Sequence, residues 1–217
     1  MRAAIGLADL EGLDAVSIRR VAAALDARPM SLYTYVPSKD DLFDLMFDDL
    51  AGRAVLGEQL PSDWAAALRA IAHRVRELGL AHPWSTELLS RRPQLGPNVM
   101  RLLEEWVAAL DPLELPPADA WRAVTAVNDY VNGYVIREVA QRRAIPSTPG
   151  HARQWQRQVT AYLHDLAASG DYPHIAPLLA EGYAATDDSF DTGLDWIIES
   201  IGRHHHPAVS ARPARDG

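Results

Sequence analysis

The chain has 217 residues, 48% of them hydrophobic, no cysteine and a formal net charge of −8. That length suffices for one sizeable core or for a small domain joined to a larger one, and the lack of cysteine excludes disulfides, thiolate nucleophiles and Cys-ligated zinc or iron–sulfur sites. No run of about eighteen uncharged apolar residues occurs and the N-terminus has no signal-peptide architecture, so a soluble, cytoplasmic protein without membrane association is expected.

Ala3, Ala4, Leu7, Ala8 and Leu10 recur at helical spacing, and Glu11-Gly12 closes that first helix with Gly12 just past its end. Ser17 is placed to N-cap a second helix, of about two turns, in which Ile18, Val21, Ala22 and Leu25 repeat. Asp26, Ala27 and Arg28 interrupt the pattern. Pro29 suits the first turn of a third helix, which Val36-Pro37 stops. In it Met30 is expected to point inward with Leu32 and Val36 nearby, leaving Ser31, Tyr33, Thr34 and Tyr35 as a polar and aromatic surface. A helix that short is not stable alone, and its exposed face suits a groove.

Ser38 caps a longer helix with Leu42, Leu45, Met46, Asp49 and Leu50 in repeat and Asp40 and Asp41 in its first turn, where they favour the macrodipole. Beyond Gly57 and Pro61, Ser62-Asp63 opens a helix to about residue 80, with Trp64, Leu68, Ile71, Val75 and Leu78 on one stripe. His82-Pro83-Trp84 breaks the pattern, residues 85–89 form a short helix, and residues 91–98, which include Arg92, Pro93 and Gly96, read as a loop. Met100, Leu103, Trp106, Val107 and Leu110 mark a further helix that Asp111-Pro112 ends. Residues 117–143 then form a helix of about six turns with Trp121, Val124, Asn128, Val131, Val135 and Val139 on one face. Residues 145–150 read as a linker, residues 152–168 as helix, and Asp187-Asp188 starts a last helix with Phe190, Leu194, Ile197, Ile198 and Ile201 facing one way. Residues 207–217 read as a disordered tail. Without strand alternation, repeats or a phosphate loop, the chain is all-α, with nine or ten helices.

The negative total hides an asymmetry. Residues 1–39 hold five basic against four acidic residues, a balance of +1, and the remainder carries −9, so the N-terminal end is the part suited to a nucleic acid. His204-His205-His206 is no metal motif, because consecutive helical residues diverge. His73 and His82 read as core or pocket histidines, and Glu104 and Glu105 as a solvated face. No nucleophile-elbow pattern supports an enzyme. Trp84, Trp106 and Trp121 leave two readings open, core filling or pocket lining. Asn128 and Asn132, four apart on an apolar face, need partners: each other, a partner subunit or a ligand.

The segment RRVAAALDARPMSLYTYVPSKDDLFDLM resembles the DNA-binding end of the tetracycline-repressor (TetR) family, whose pattern is a small-residue helix, a turn and Leu-Tyr-x-x-[Phe/Val]-x-x-Lys. Leu32-Tyr33-Thr34-Tyr35-Val36-Pro37-Ser38-Lys39 matches that run. The departures are Asp26-Ala27, where the family often has Gly-Val, and Arg28 in place of a small polar cap; the first helix is also shorter at its N-terminal end than is usual. The resemblance implies a three-helix helix-turn-helix domain (1–45), a larger helical effector-binding and dimerisation domain (46–206) and a tail (207–217). It implies operator-DNA contacts by Ser17, Arg19, Arg28, Pro29, Met30, Ser31, Tyr33, Thr34, Tyr35 and Lys39. The helices that surround the ligand cavity in the family carry His73, Trp84, Met100, Leu103, Trp106, Trp121, Asn128 and Asn132, which are the candidate ligand residues. The expected protein is a homodimeric regulator, without cofactor or metal, that a small, largely apolar or aromatic molecule releases from double-stranded operator DNA. The alternative is a helical small-molecule-binding protein without regulatory DNA binding.

Overall fold

The computed structural model describes residues 1–89, 91, 94–144, 149–180 and 189–205. Among them the chain is helical, with eleven α-helices and no strand. Asp187-Asp188, Arg92, Pro93, residues 145–148, His206 and the 207–217 tail lie outside the described residues.

The first three helices form where the caps place them. Helix α1 (Arg2–Glu11) ends at Gly12, whose φ of 84° is a conformation open to glycine at little cost. After a 3₁₀ turn at Leu13–Ala15, α2 (Ile18–Ala24) starts with the Ser17 hydroxyl accepting from the Arg20 N–H at 3.3 Å. Leu25 does not continue its apolar stripe: it follows the helix and is exposed. The turn then passes through Asp26 at φ 51°, a left-handed position that Asp tolerates better than most residues, so the absence of the family's usual glycine is accommodated. Helix α3 (Pro29–Tyr33) is shorter than expected, because the Tyr35 and Val36 N–H groups both close onto the Leu32 carbonyl before Pro37 is reached. Met30 does not point inward. It is 76% exposed, since α3 is held down by Leu32 and Val36 and a residue two positions before Leu32 lies about 200° round the helix from it.

Helix α4 (Lys39–Ala54) is capped by Ser38, whose hydroxyl accepts from the Asp41 N–H at 3.1 Å. Its inward positions are Leu42, Phe43, Met46 and Leu50, while Leu45, expected among them, is exposed. These side chains share one core with Ala4, Ile5, Ala8, Leu13, Val16, Ile18, Val21 and Val36, and with Leu78, Trp84 and Leu88 further on. The core therefore runs without a break past residue 45.

Helix α5 (Trp64–Ala81) is capped by Asp63, which accepts from the Ala66 N–H at 2.8 Å. Helices α6 (Ser85–Leu89) and α7 (Pro97–Ala108) follow, then a 3₁₀ turn at Asp111–Leu113 and α8 (Pro117–Ala144), which matches the expected 117–143 to within one residue; its 28 residues make nearly eight turns, so the expected six undercounts that span. Helices α9 (Pro149–Ala168), α10 (Ala176–Ala180) and α11 (Ser189–His205) complete the set. The chain divides into two compact units, Met1–Ile136 with Leu194–Gly217, and Arg137–Gly193; α9 and α10 pack on each other within the second.

Two buried carboxylates join α4 to α7 in the first unit. Asp48 Oδ1 accepts from the Asn98 and Val99 N–H groups at 2.8 and 3.1 Å, and its Oδ2 from Asn98 Nδ2 at 3.0 Å. It thus does for α7 what its own N-cap, Gly96, has no side chain to do. In the other direction Glu105 of α7 accepts from the Leu56 and Gly57 N–H groups at 2.7–3.0 Å, just beyond the end of α4. Glu105 is therefore buried and bonded, not part of a solvated face; Glu104 is the exposed one of the pair.

Gly96 is required by this arrangement, because a Cβ there would lie 2.1 Å from Asp48 Oδ1. Asp48→Ala is expected to cost about 1–3 kcal/mol by stranding buried donors, and Gly96→Ala a similar amount by displacing the carboxylate. The double variant should cost clearly less than the two summed, as measured by urea unfolding, since the clash vanishes with the carboxylate.

Candidate nucleic-acid interface and effector cavity

The N-terminal candidates gather on α2, α3 and the start of α4. Ser17, Arg19, Tyr33 and Lys39 line one shallow depression together with Ile18, Pro37 and Ser38. Ser17 is also the cap of α2, so its hydroxyl already accepts one backbone bond. The Lys39 ammonium lies over the Phe43 ring at 5.1 Å from the centroid, which fixes its stem beside the α4 N-terminus. Arg28 sits at the N-cap of α3, and Pro29, Met30, Ser31, Thr34 and Tyr35 all remain at the surface, Tyr35 at 82% exposure. The neighbouring Arg20 is differently employed. Its guanidinium donates to both Glu11 carboxylate oxygens at 2.6 and 2.9 Å and to the Ala15 carbonyl at 3.2 Å. These bonds hold Glu11 below the usual carboxylate range and Arg20 above its own. Both groups are about half exposed, so the pair orients α1 on α2 more than it stabilises them.

A second site opens further along. A cavity of about 280 Å³ is walled by α4, α5, α6, α7 and α8, close to the lower end of the size range of small-molecule sites, about 300–1,000 Å³. Phe47, Leu50, Ala51 and Ala54 of α4 form one side; Leu102, Leu103 and Trp106 of α7 and Val75 and Leu78 of α5 form others. Polar groups are few: Ser85 and Thr86 of α6, Gln94, and Asn128 and Asn132 of α8. Asn132 Nδ2 donates to Asn128 Oδ1 at 3.2 Å, so the two amides that needed partners supply one to each other at the cavity wall.

Of the eight candidate ligand residues, Leu103, Trp106, Asn128 and Asn132 line this cavity. His73 lies instead in a shallow surface cleft with Leu56, Arg74, Arg76 and Glu77. Met100 and Trp121 are exposed. Trp84 is buried outside the cavity, where its indole N–H donates to Asp9 Oδ1 at 2.7 Å; His82 Nδ1 shares the same oxygen at 2.8 Å. Those bonds tie α1 to the segment that leads into α6. The α4 wall was not anticipated, although its signal exists in the sequence: Leu50, Ala51 and Ala54 continue the apolar stripe of α4 past residue 45, the expected end of the helix-turn-helix domain. Among the described residues no three His, Asp or Glu side chains form a metal-ligand set, and no helix is long and apolar enough to cross a membrane.

Residues 1–46 match the family described as bacterial regulatory proteins, tetR family, and residues 57–204 the tetracyclin repressor-like C-terminal domain. The HTH-type transcriptional repressor DrrR1 of Streptomyces coeruleorubidus is 35% identical over 207 residues, covering 93% of this chain and 75% of the relative. An HTH-type transcriptional regulator of Saccharopolyspora erythraea is 31% identical over 199 residues, covering 92% and 81%. Among solved structures, the TetR family protein ActR of Streptomyces coelicolor in complex with actinorhodin superposes with a TM-score of 0.79 at 28% identity, covering 95% of this chain and 96% of that one.

The Asp9 bonds lead to a test of what Trp84 does. Asp9→Ala leaves a buried indole N–H without its acceptor and should lower stability by about 1–3 kcal/mol. Asp9→Asn keeps an acceptor oxygen and should cost less. Thermal unfolding of the two variants compared with the parent measures the difference.

Proposed function

Since the chain belongs to the tetR family of bacterial regulatory proteins, we propose that it is a cytoplasmic, dimeric transcriptional repressor that a small, largely apolar or aromatic molecule releases from operator DNA. One observation carries this reading: α4 starts at Ser38-Lys39, beside the candidate DNA surface, and its other end forms a wall of the cavity through Phe47, Leu50, Ala51 and Ala54. A ligand that displaces that wall tilts one rigid helix and moves what is attached to its far end. The helix-turn-helix part is residues 1–45, with Arg28, Pro29, Met30, Ser31, Thr34 and Tyr35 toward the groove and Ser17, Arg19, Tyr33 and Lys39 toward phosphates. Residues 46–206 hold effector and partner. The effector rests on Leu103, Trp106, Asn128 and Asn132, joined by the α4 wall.

For release to occur the ligand must bind the two states unequally, and a tenfold loss of operator affinity corresponds to about 1.4 kcal/mol of coupling. In a gel shift with DNA from upstream of the protein's own gene, a bound aromatic compound should weaken the complex. Trp106→Ala and Asn128→Ala should lose that response while the free proteins hold the operator within a few-fold of the parent, since neither residue is near α3. Variants that respond like the parent would sink the cavity assignment, and an operator complex untouched by any bound compound would sink ligand control.

Dimerisation is assigned to the faces of α8 and α11 that carry Trp121 and Trp196, which are 54% and 68% exposed in the single chain; large apolar side chains left in water mark surfaces that another chain covers. Trp196→Glu changes an exposed position, so it should leave the monomer folded yet shift the protein from dimer to monomer in analytical ultracentrifugation and weaken operator binding at least tenfold.

A further inference from the structure

Of the side chains that α3 and the two residues after it offer a groove, the large ones, Met30 and Tyr35, present mainly apolar surface, and the polar ones, Ser31 and Thr34, are short hydroxyls. Met30 and Tyr35 are among the most exposed large hydrophobic residues in the chain, and α3 has no buried residue of its own. Residues 29–36 contain no Asn, Gln, Lys, Arg, Asp or Glu, and the nearest guanidinium is Arg28 at the N-cap. Tyr33 lies apart from this set, in the depression shared with Ser17, Arg19 and Lys39. In the major groove each base edge asks for a different partner: amide side chains pair with adenine, guanidinium with guanine and carboxylates with cytosine, the hydroxyls of Ser31 and Thr34 can meet a donor or an acceptor and so discriminate little, and an apolar group finds one matching feature, the C5-methyl of thymine. A recognition helix built this way can pair with few polar edges, but it can cover methyl groups.

We propose that the DNA selected by this chain is specified chiefly by thymine methyl groups contacted by Met30 and Tyr35, with Arg28 reading a guanine at one edge of each half-site. The proposal rests on the reading of the protein as a DNA-binding regulator. The burial of Met30 and Tyr35 against thymine methyls, deferred in the free protein, is then completed on DNA.

The site can be obtained without knowing the operator, by selecting from a random-sequence duplex pool with the intact chain. Each thymine of the selected site is then replaced in turn by deoxyuridine, which lacks only the C5-methyl. The expected loss is about fourfold for each contacted methyl, the worth of one buried methyl-sized group, at one or more positions in each half-site. Met30→Ala and Tyr35→Ala should each abolish the penalty at a different position; both residues are exposed, and an unchanged melting temperature checks that the variants are folded. Deoxyuridine tolerated within twofold everywhere, selected half-sites without thymine, or a full penalty retained by both variants would each overturn the proposal. A pool that enriches no sequence at all would instead overturn the DNA-binding reading on which it rests.

Discussion

The reciprocal carboxylate clamp between α4 and α7 is the constraint on which the first unit depends. Asp48 and Glu105 are both buried, and a buried carboxylate is costly unless its lone pairs are filled. Here each is filled largely by backbone N–H groups that have no helical partner: Asp48 takes those at the start of α7, and Glu105 those of Leu56 and Gly57 beyond the end of α4. Each carboxylate thereby answers an unsatisfied backbone need on the other element. The two carboxylates lie at opposite ends of the contact and hold α4 and α7 at a fixed register, with the cavity beside them.

That register gives the cavity its form. Because α4 cannot slide on α7, the residues Phe47, Leu50, Ala51 and Ala54 stay opposite Leu102, Leu103 and Trp106. The same helix carries Phe43 and Met46 into the core that seats α1, α2 and α3. A helix clamped on one side of a cavity and packed into a three-helix domain at its other end is a mechanical link between the two. The Asp9 bonds to Trp84 and His82 add a second connection, from α1 to the segment before α6.

Electrostatics follows the same division. The N-terminal 39 residues balance near neutrality while the remainder is strongly acidic, so the proposed contact of the α2–α3 surface with DNA is placed where the chain repels a polyanion least. Within that surface Arg20 is engaged by Glu11, so Arg19, Arg28 and Lys39 are the cations on which the proposed contacts with DNA depend.

The sequence by itself determined the helices, because the signals that start and stop them act within a few residues: Ser17, Ser38 and Asp63 accept the first free amides, Pro29 opens α3 and Gly12 ends α1. It also determined membership of the family, since the Leu-Tyr-x-x-Val-x-x-Lys run is local. Which way side chains face was decided only by the tertiary structure. Met30 was free to turn outward once Leu32 and Val36 held α3; Trp106 lined a cavity while Trp121 stayed exposed, although both sit on helices with an apolar stripe, and Trp84, in the turn before α6, filled core. Asp48 and Glu105 were illegible for the same reason. A carboxylate on a helix reads as a solvated one until a distant segment, some fifty residues away, brings it the N–H groups that make its burial favourable.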